Sequence, residues 1–229
     1  MALAEDLKKW VDETFTAVWE VQETAGVPNP EDLRLNSNHA KDLNSATVLY
    51  ADLDGSTDMV NMKKWEFSTE IYKTFLKCAS DIIKNEGGVI TAYDGDRVMG
   101  IFTGDYKNTS AARCALKINF AVQDIIQPAI SKGWTTDFVL KHVVGIDTSQ
   151  LKTARIGVRG DNDLVWVGRA ANYAAKLTNL ANKPTRITED VYKRLASDLK
   201  QTNGTDMWVR EYWEGMGIWM YSSTWKWRV

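Results

Sequence analysis

Tyr50-Ala51-Asp52-Leu53-Asp54-Gly55-Ser56-Thr57 closes an apolar run that starts near Ala46. Aspartate is depleted in strands, so a buried strand that ends in two carboxylates and a glycine asks for an explanation. Side chains alternate with period two along a strand, which puts Tyr50, Asp52 and Asp54 on one side and gathers two carboxylates and a phenol on one surface. Turn and helix-capping chemistry accounts for Asp54 and Ser56. It leaves Asp52 without a role.

Working outward, the pattern predicts a long helix over about 59–85, then two short strands, Val89-Ile90-Thr91-Ala92-Tyr93 and Val98-Met99-Gly100-Ile101-Phe102, flanking Asp94-Gly95-Asp96-Arg97. Asp-Gly is ordinary hairpin-turn chemistry. Its pairing with the first strand is what carries meaning, because two turn-adjacent aspartates on neighbouring strands can converge on a hard divalent cation. Mg²⁺ or Mn²⁺ uses one or two carboxylates plus substrate phosphates, and two such ions serve an in-line displacement at phosphorus. A third feature is Gly168-Arg169-Ala170-Ala171-Asn172-Tyr173-Ala174-Ala175-Lys176-Leu177, where Asn172 and Lys176, four residues apart, share a helix face. A donor and a cation there suit charge developing on a transferring phosphorus. A solvated pair above a small-residue packing face fits the same spacing.

The rest of the chain supplies a helix over about 108–130, a strand at 137–147, extended segments near 154–167, a helix over about 169–181, a strand at 185–188 and a helix opened by Thr188-Glu189-Asp190, whose side chains can cap it. Trp208, Tyr212, Trp213, Trp219, Tyr221, Trp225 and Trp227 alternate around Gly215-Met216-Gly217, the pattern of a β-hairpin. Such alternation packs a core or an interface more often than it stacks a base. This order predicts an α+β fold, a mainly antiparallel sheet with helices on one face. Before it, Leu3, Leu7, Trp10, Val11, Val18 and Val21 recur at roughly helical spacing and predict an amphipathic helix over 3–24, followed by a wrapping loop over 28–45. The expected division is therefore 1–45, helix and linker, and 46–229, the catalytic domain.

At 229 residues and 44% hydrophobic content the chain can bury one sizeable core. Its 28 basic and 30 acidic side chains nearly balance and form no basic stripe, so no nucleic-acid partner is expected. No apolar run reaches the roughly 18 residues of a membrane span, and the first residues lack a basic and apolar leader. A cytoplasmic protein without a membrane partner is the expectation. Cys78 and Cys114 have no metal-ligand spacing and read as reduced core residues; His39 and His142 are solitary and read as structural.

Taken together, in this order and spacing, the three pieces resemble the class III adenylyl and guanylyl cyclase catalytic domain over about residues 46 to 225. The resemblance implies a ferredoxin-like α+β domain that cyclises a nucleoside triphosphate. It implies that Asp52, Asp96 and the Leu53 carbonyl hold two Mn²⁺ or Mg²⁺ ions, and that Asn172 orients the ribose. It also implies a head-to-tail homodimer with two composite sites, metals from one protomer and Asn172 with its neighbour from the other. Lys176 stands where the family usually has arginine, which keeps the charge and loses the bidentate fork. Near Trp213-Glu214-Gly215-Met216-Gly217 no counterpart is evident for the basic residue that takes the triphosphate.

Base selection departs further. The positions that read a purine in that family align with Ala92 and Val165, and neither can make a side-chain hydrogen bond to a base. Tyr50, on the Asp52 side, can narrow the pocket and offer a polar tip to a small pyrimidine. With Gly160-Asp161-Asn162-Asp163-Leu164-Val165-Trp166-Val167-Gly168-Arg169 and Ala174-Ala175-Lys176, these features are similar to the bacterial pyrimidine cyclases of Pycsar anti-phage systems. That resemblance implies conversion of UTP to 3′,5′-cyclic UMP and pyrophosphate, with cyclic UMP passed to a separate effector. Cyclic CMP from CTP and a non-catalytic nucleotide-sensing module stand as alternatives.

Overall fold

The run that ends at Asp54 forms the middle of the sheet. In the computed structural model, which describes residues 2–229, it belongs to β2 (His39–Asp54), paired antiparallel with β4 (Arg97–Phe102) on one side and β5 (Lys141–Val158) on the other. Period-two alternation sorts its side chains between two cores. Leu49, Ala51 and Leu53 join Val98, Phe102, Val144 and Ile146 beneath the long helices α3 (Trp65–Asn85) and α4 (Lys107–Phe120). Ala46 and Val48 join Met99, Ile101 and Leu151 on the opposite face, covered by Ala170, Ala171 and Ala174 of the short helix α6 (Arg169–Leu177). The fold is the expected mainly antiparallel α+β sandwich, with its long helices on one face and α6 alone across the other.

The full element order places α1 (Ala2–Thr16) and β1 (Glu20–Glu23) before β2, and α2 (Ser56–Met62) between β2 and α3. Then come β3 (Val89–Asp94) ahead of β4, and α5 (Gln127–Gly133) ahead of β5. After β5 come β6 (Asp161–Val167), α6, β7 (Thr185–Thr188), α7 (Glu189–Lys193), the small pair β8 (Gln201–Thr202) and β9 (Thr205–Asp206), and the hairpin β10 (Val209–Trp213) with β11 (Ile218–Ser223). The sheet runs β10-β11-β7-β5-β2-β4-β3, with β1 parallel on the start of β2 and β6 folded back on the end of β5.

Several boundaries differ from the sequence expectation. The N-terminal helix stops at Thr16, and Glu20–Glu23 become a strand because the first residues of β2 offer an open edge. Strand β2 itself begins at His39, inside the stretch expected as a loop. The helix expected over 59–85 is two helices broken at Lys63-Lys64, and Gly55, at φ 79°, caps the first with no side-chain help from Asp54 or Ser56. The 108–130 helix is interrupted by a π-helical turn at Ala121–Ile126 before α5, which carries Pro128 in its first turn. Segments 137–147 and 154–167 are the long β5 and its partner β6, and the helix expected to reach 181 ends at Leu177. Thr188 does not cap α7; its hydroxyl donates to Asp147 at 2.5 Å.

The aromatic tail packs. Trp208 and Trp213 are buried, Trp225 and Trp227 lie against the main core, and Tyr192 stacks on Tyr221 with ring centres 3.6 Å apart. Both cysteines are free, Cys114 buried and Cys78 half-buried. Among the described residues no helix is long and apolar enough to cross a membrane.

Two glycines seat α6. A Cβ on Gly145 of β5 would stand 2.2 Å from the Ala174 carbonyl oxygen, and one on Gly168 would stand 2.6 Å from that of Gln150. Only hydrogen at both positions lets the helix lie this close to the strand. Arg169 then ties the helix start to β5 through Asp147 at 3.0 Å, whose side chain is fully buried, and reaches Asp190 at 2.6 Å.

Candidate active site

Pairing between β2 and β4 ends at Ala51 opposite Val98. Asp52 therefore lies one residue beyond the ladder, beside the β3–β4 turn, where Gly95 adopts φ 60°. This is how the chain brings Asp52 to the Asp94-Gly95-Asp96-Arg97 turn. Register also lines up Tyr50, Met99 and Ala92 across β2, β4 and β3, so Tyr50 and Ala92 flank one methionine on the α6 face.

Asp52 is largely buried and held by two donors. Arg97 donates to its Oδ2 from Nε at 3.0 Å and from Nη2 at 2.7 Å, and the Thr178 hydroxyl donates to the same oxygen at 3.3 Å. Burial pushes the Asp52 carboxyl above its ordinary range; Arg97 pulls it back and Asp96 adds to the rise. Burial likewise raises the Tyr50 phenol, and the Arg97 guanidinium lies 5.8 Å from the centre of that ring.

Asp96 is the informative group. Its Oδ2 is buried and receives no hydrogen bond. A buried carboxylate oxygen without a donor is costly, and a cation answers that cost directly. Among the described residues no cluster of three or more His, Cys, Asp or Glu gathers anywhere. A donor set of two carboxylates is therefore what the chain offers, and it fits Mg²⁺ or Mn²⁺ completed by substrate phosphates rather than an all-protein cage. The Leu53 side chain turns into the helix-covered core while its backbone lies at the same strand end, past the last β2–β4 pair.

Asn172 and Lys176 sit apart from this pair. Both are exposed on the outer side of α6, opposite the buried alanines, and neither bonds to Asp52 or Asp96. The Lys176 ammonium instead lies 3.6 Å from the Met216 sulfur. Val165 stands on β6 opposite Ala154, on a different strand from the Tyr50-Met99-Ala92 row. One chain thus assembles Tyr50, Asp52 and Asp96, and leaves Asn172 and Lys176 facing outward.

Sequence reasoning missed the two partners of Asp52. Arg97 had a visible signal, a lone arginine directly after Asp96 in an acidic turn. Thr178 had none, because only the seating of α6 brings its hydroxyl to β2.

No protein-family model matches the chain. It is 80% identical over its full length to the uridylate cyclase of Burkholderia cepacia, and 52% identical to that of Xanthomonas perforans, each covered over 100% of both chains. The fold is similar to the crystal structure of the adenylyl cyclase CyaB from P. aeruginosa, with a TM-score of 0.67, 19% identity, and 80% of this chain and 95% of that chain covered. The half-buried carboxylate pair thus sits in a chain whose full-length relatives are cyclases and whose fold is that of the class III enzymes, and the chain belongs to the uridylate cyclase family of nucleotide cyclases.

Proposed function

We propose that the chain converts UTP to 3′,5′-cyclic UMP and pyrophosphate in two composite sites of a cytoplasmic homodimer, and that cyclic UMP acts on a separate effector in anti-phage defence. The observation that carries the site is the unpartnered, buried Oδ2 of Asp96 beside Asp52. The full-length relatives named uridylate cyclase support the substrate.

In this reading Asp52, Asp96 and the Leu53 carbonyl hold two divalent ions, Mn²⁺ or Mg²⁺. When bound, such ions ease loss of the proton from the attacking hydroxyl and neutralise the leaving pyrophosphate. The ribose 3′-oxygen forms its bond to the α-phosphorus as the bond to the β-phosphate bridging oxygen breaks. Tyr50 closes one side of the base pocket, and Ala92, two strands over, offers no side-chain hydrogen bond to a base. Asn172 from a second copy of the chain orients the ribose, and Lys176 meets charge developing on the phosphorus. The outward face of α6 supports that division of labour, since both groups are exposed and turned away from their own chain's aspartates.

Co-expression of Asp96→Asn with Asn172→Ala tests the composite site. Each variant alone is expected to be inactive, while the mixture regains about a quarter of wild-type turnover, because half the dimers pair the two variants and each of those has one intact site. No recovery in the mixture, with the heterodimer shown to form, would contradict sites shared between chains.

A further inference from the structure

Arg97 occupies the place where a cation is wanted. Its Nε and Nη2 both reach the same oxygen of Asp52, at 3.0 and 2.7 Å, leaving the buried Oδ2 of Asp96 one residue away without a partner. The strand end and the turn therefore bring Asp52, Asp94 and Asp96 around one guanidinium, which hydrogen-bonds Asp52 alone. The side chains are 29% exposed for Arg97 and 14% for Asp52, so the pair is shielded but open on one side. The guanidinium also lies near the Tyr50 ring, 5.8 Å from its centre, beside the residue proposed to line the base pocket.

We infer that Arg97 is an exchangeable counterion: it holds Asp52 in the nucleotide-free chain, yields it to an incoming divalent cation, and turns its guanidinium onto the triphosphate. The inference rests on the two-cation reading above. Without any cation the aspartates would face each other as like charges. A divalent ion arriving alone meets Arg97 both as a competitor for Asp52 and as a positive charge. A triphosphate arriving with the ion supplies what a guanidinium prefers, paired oxygens in a plane that its fork can match. Metal and nucleotide then load together, and by linkage each raises the affinity of the other. This also gives the triphosphate a basic partner, for which no counterpart is evident near Trp213-Glu214-Gly215-Met216-Gly217.

The test is Mn²⁺ binding by the whole chain, read from the free-ion paramagnetic signal, with and without 3′-deoxy-UTP, which lacks the attacking hydroxyl and is not consumed. Arg97→Met keeps the stem and removes the charge. Since hydrogen bonds to charged groups are worth roughly a factor of ten or more, Arg97→Met is expected to bind Mn²⁺ about tenfold tighter than wild type without nucleotide. The gain on adding 3′-deoxy-UTP is expected to shrink by a similar factor, with Arg97→Lys falling between. Folding is checked by circular dichroism, and if the methionine variant does not fold, the lysine variant decides by the same sign. Nucleotide-free Mn²⁺ binding equal to or weaker than wild type overturns the inference and leaves Arg97 as a brace for Asp52. Asp52→Asn and Asp96→Asn separate the two failures: if both abolish Mn²⁺ binding while Arg97→Met binds no tighter, only the counterion role falls. If neither affects Mn²⁺ binding, the two-cation reading falls and takes this one with it.

Discussion

Gly145→Ala should damage the enzyme without touching any group that contacts substrate. The added methyl would sit 2.2 Å from the Ala174 carbonyl oxygen and 2.8 Å from the Leu177 Cβ, where ordinary contact begins at 3.4 Å. A carbonyl oxygen and a Cβ are both fixed to the main chain of α6, so neither can rotate away, and α6 must lift from β5 by on the order of 1 Å, a displacement that can cost about 10²-fold in rate when it moves a reacting group. Overpacking of this kind costs about 1–3 kcal/mol, and the upper part of that range applies to a clash with a main-chain atom. In a domain of this size each kcal/mol lowers Tm by about 2–4 °C, which predicts a fall of about 4–12 °C. Because α6 carries Asn172 and is followed directly by Thr178, whose hydroxyl reaches Asp52, turnover should fall more than the folded fraction does. Differential scanning fluorimetry and initial-rate assays at 25 °C read both effects. Gly133→Ala, where the new Cβ meets nothing within 4 Å, is the control. A Gly145→Ala protein with wild-type Tm and rate would refute the claim that close seating of α6 builds the site.

Asp96→Asn should keep the wild-type Tm to within about 2 °C, since its buried Oδ2 loses no partner, yet lower turnover by about 10²-fold or more; a stable, fully active variant would exclude Asp96 from the site. Tyr50→Ala should lower the preference for UTP over GTP, as a ratio of kcat/KM, by about tenfold or more, and unchanged pyrimidine turnover and selectivity would remove Tyr50 from the base pocket. His142 is buried and takes up a proton only near pH 4 in the folded chain, against 6.5 when free, because burial disfavours its charge. The unfolded chain thus binds more protons between those values, so this stabilisation is whole above pH 6.5 and is lost as pH falls toward 4, by about 2–3 kcal/mol. Urea midpoints at pH 7 and 4.5 should accordingly fall less in His142→Gln than in wild type, and equal losses in both would show that His142 does not drive the slope.

Carboxylates at the end of a strand are legible in a sequence, because a buried strand should be apolar there. Asp52 and Asp96 were readable as candidates from the strand end and the hairpin turn, and the fold sets the end of β2 beside that turn. The hairpin of the tail was readable from its alternation. Edge pairing was not: Glu20–Glu23 kept a helical spacing of apolar residues, and only the free edge of β2 made them a strand. The break at Lys63-Lys64 and the π-helical turn at Ala121–Ile126 likewise left no mark in the apolar spacing. The Asp52 environment was half legible, Arg97 through its acidic neighbours and Thr178 through nothing, since its hydroxyl reaches Asp52 only because Gly145 and Gly168 let α6 descend.

The most direct test of the central claim is to incubate the purified protein with ATP, GTP, CTP and UTP separately in the presence of Mn²⁺ and to identify the product by mass spectrometry. Cyclic UMP from UTP, in excess over every other cyclic nucleotide, is the predicted result. Cyclic AMP or GMP as the main product would contradict the assignment of the base pocket, cyclic CMP would contradict UTP as the substrate, and binding of UTP without turnover by a dimeric protein would contradict the cyclase reading of Asp52 and Asp96.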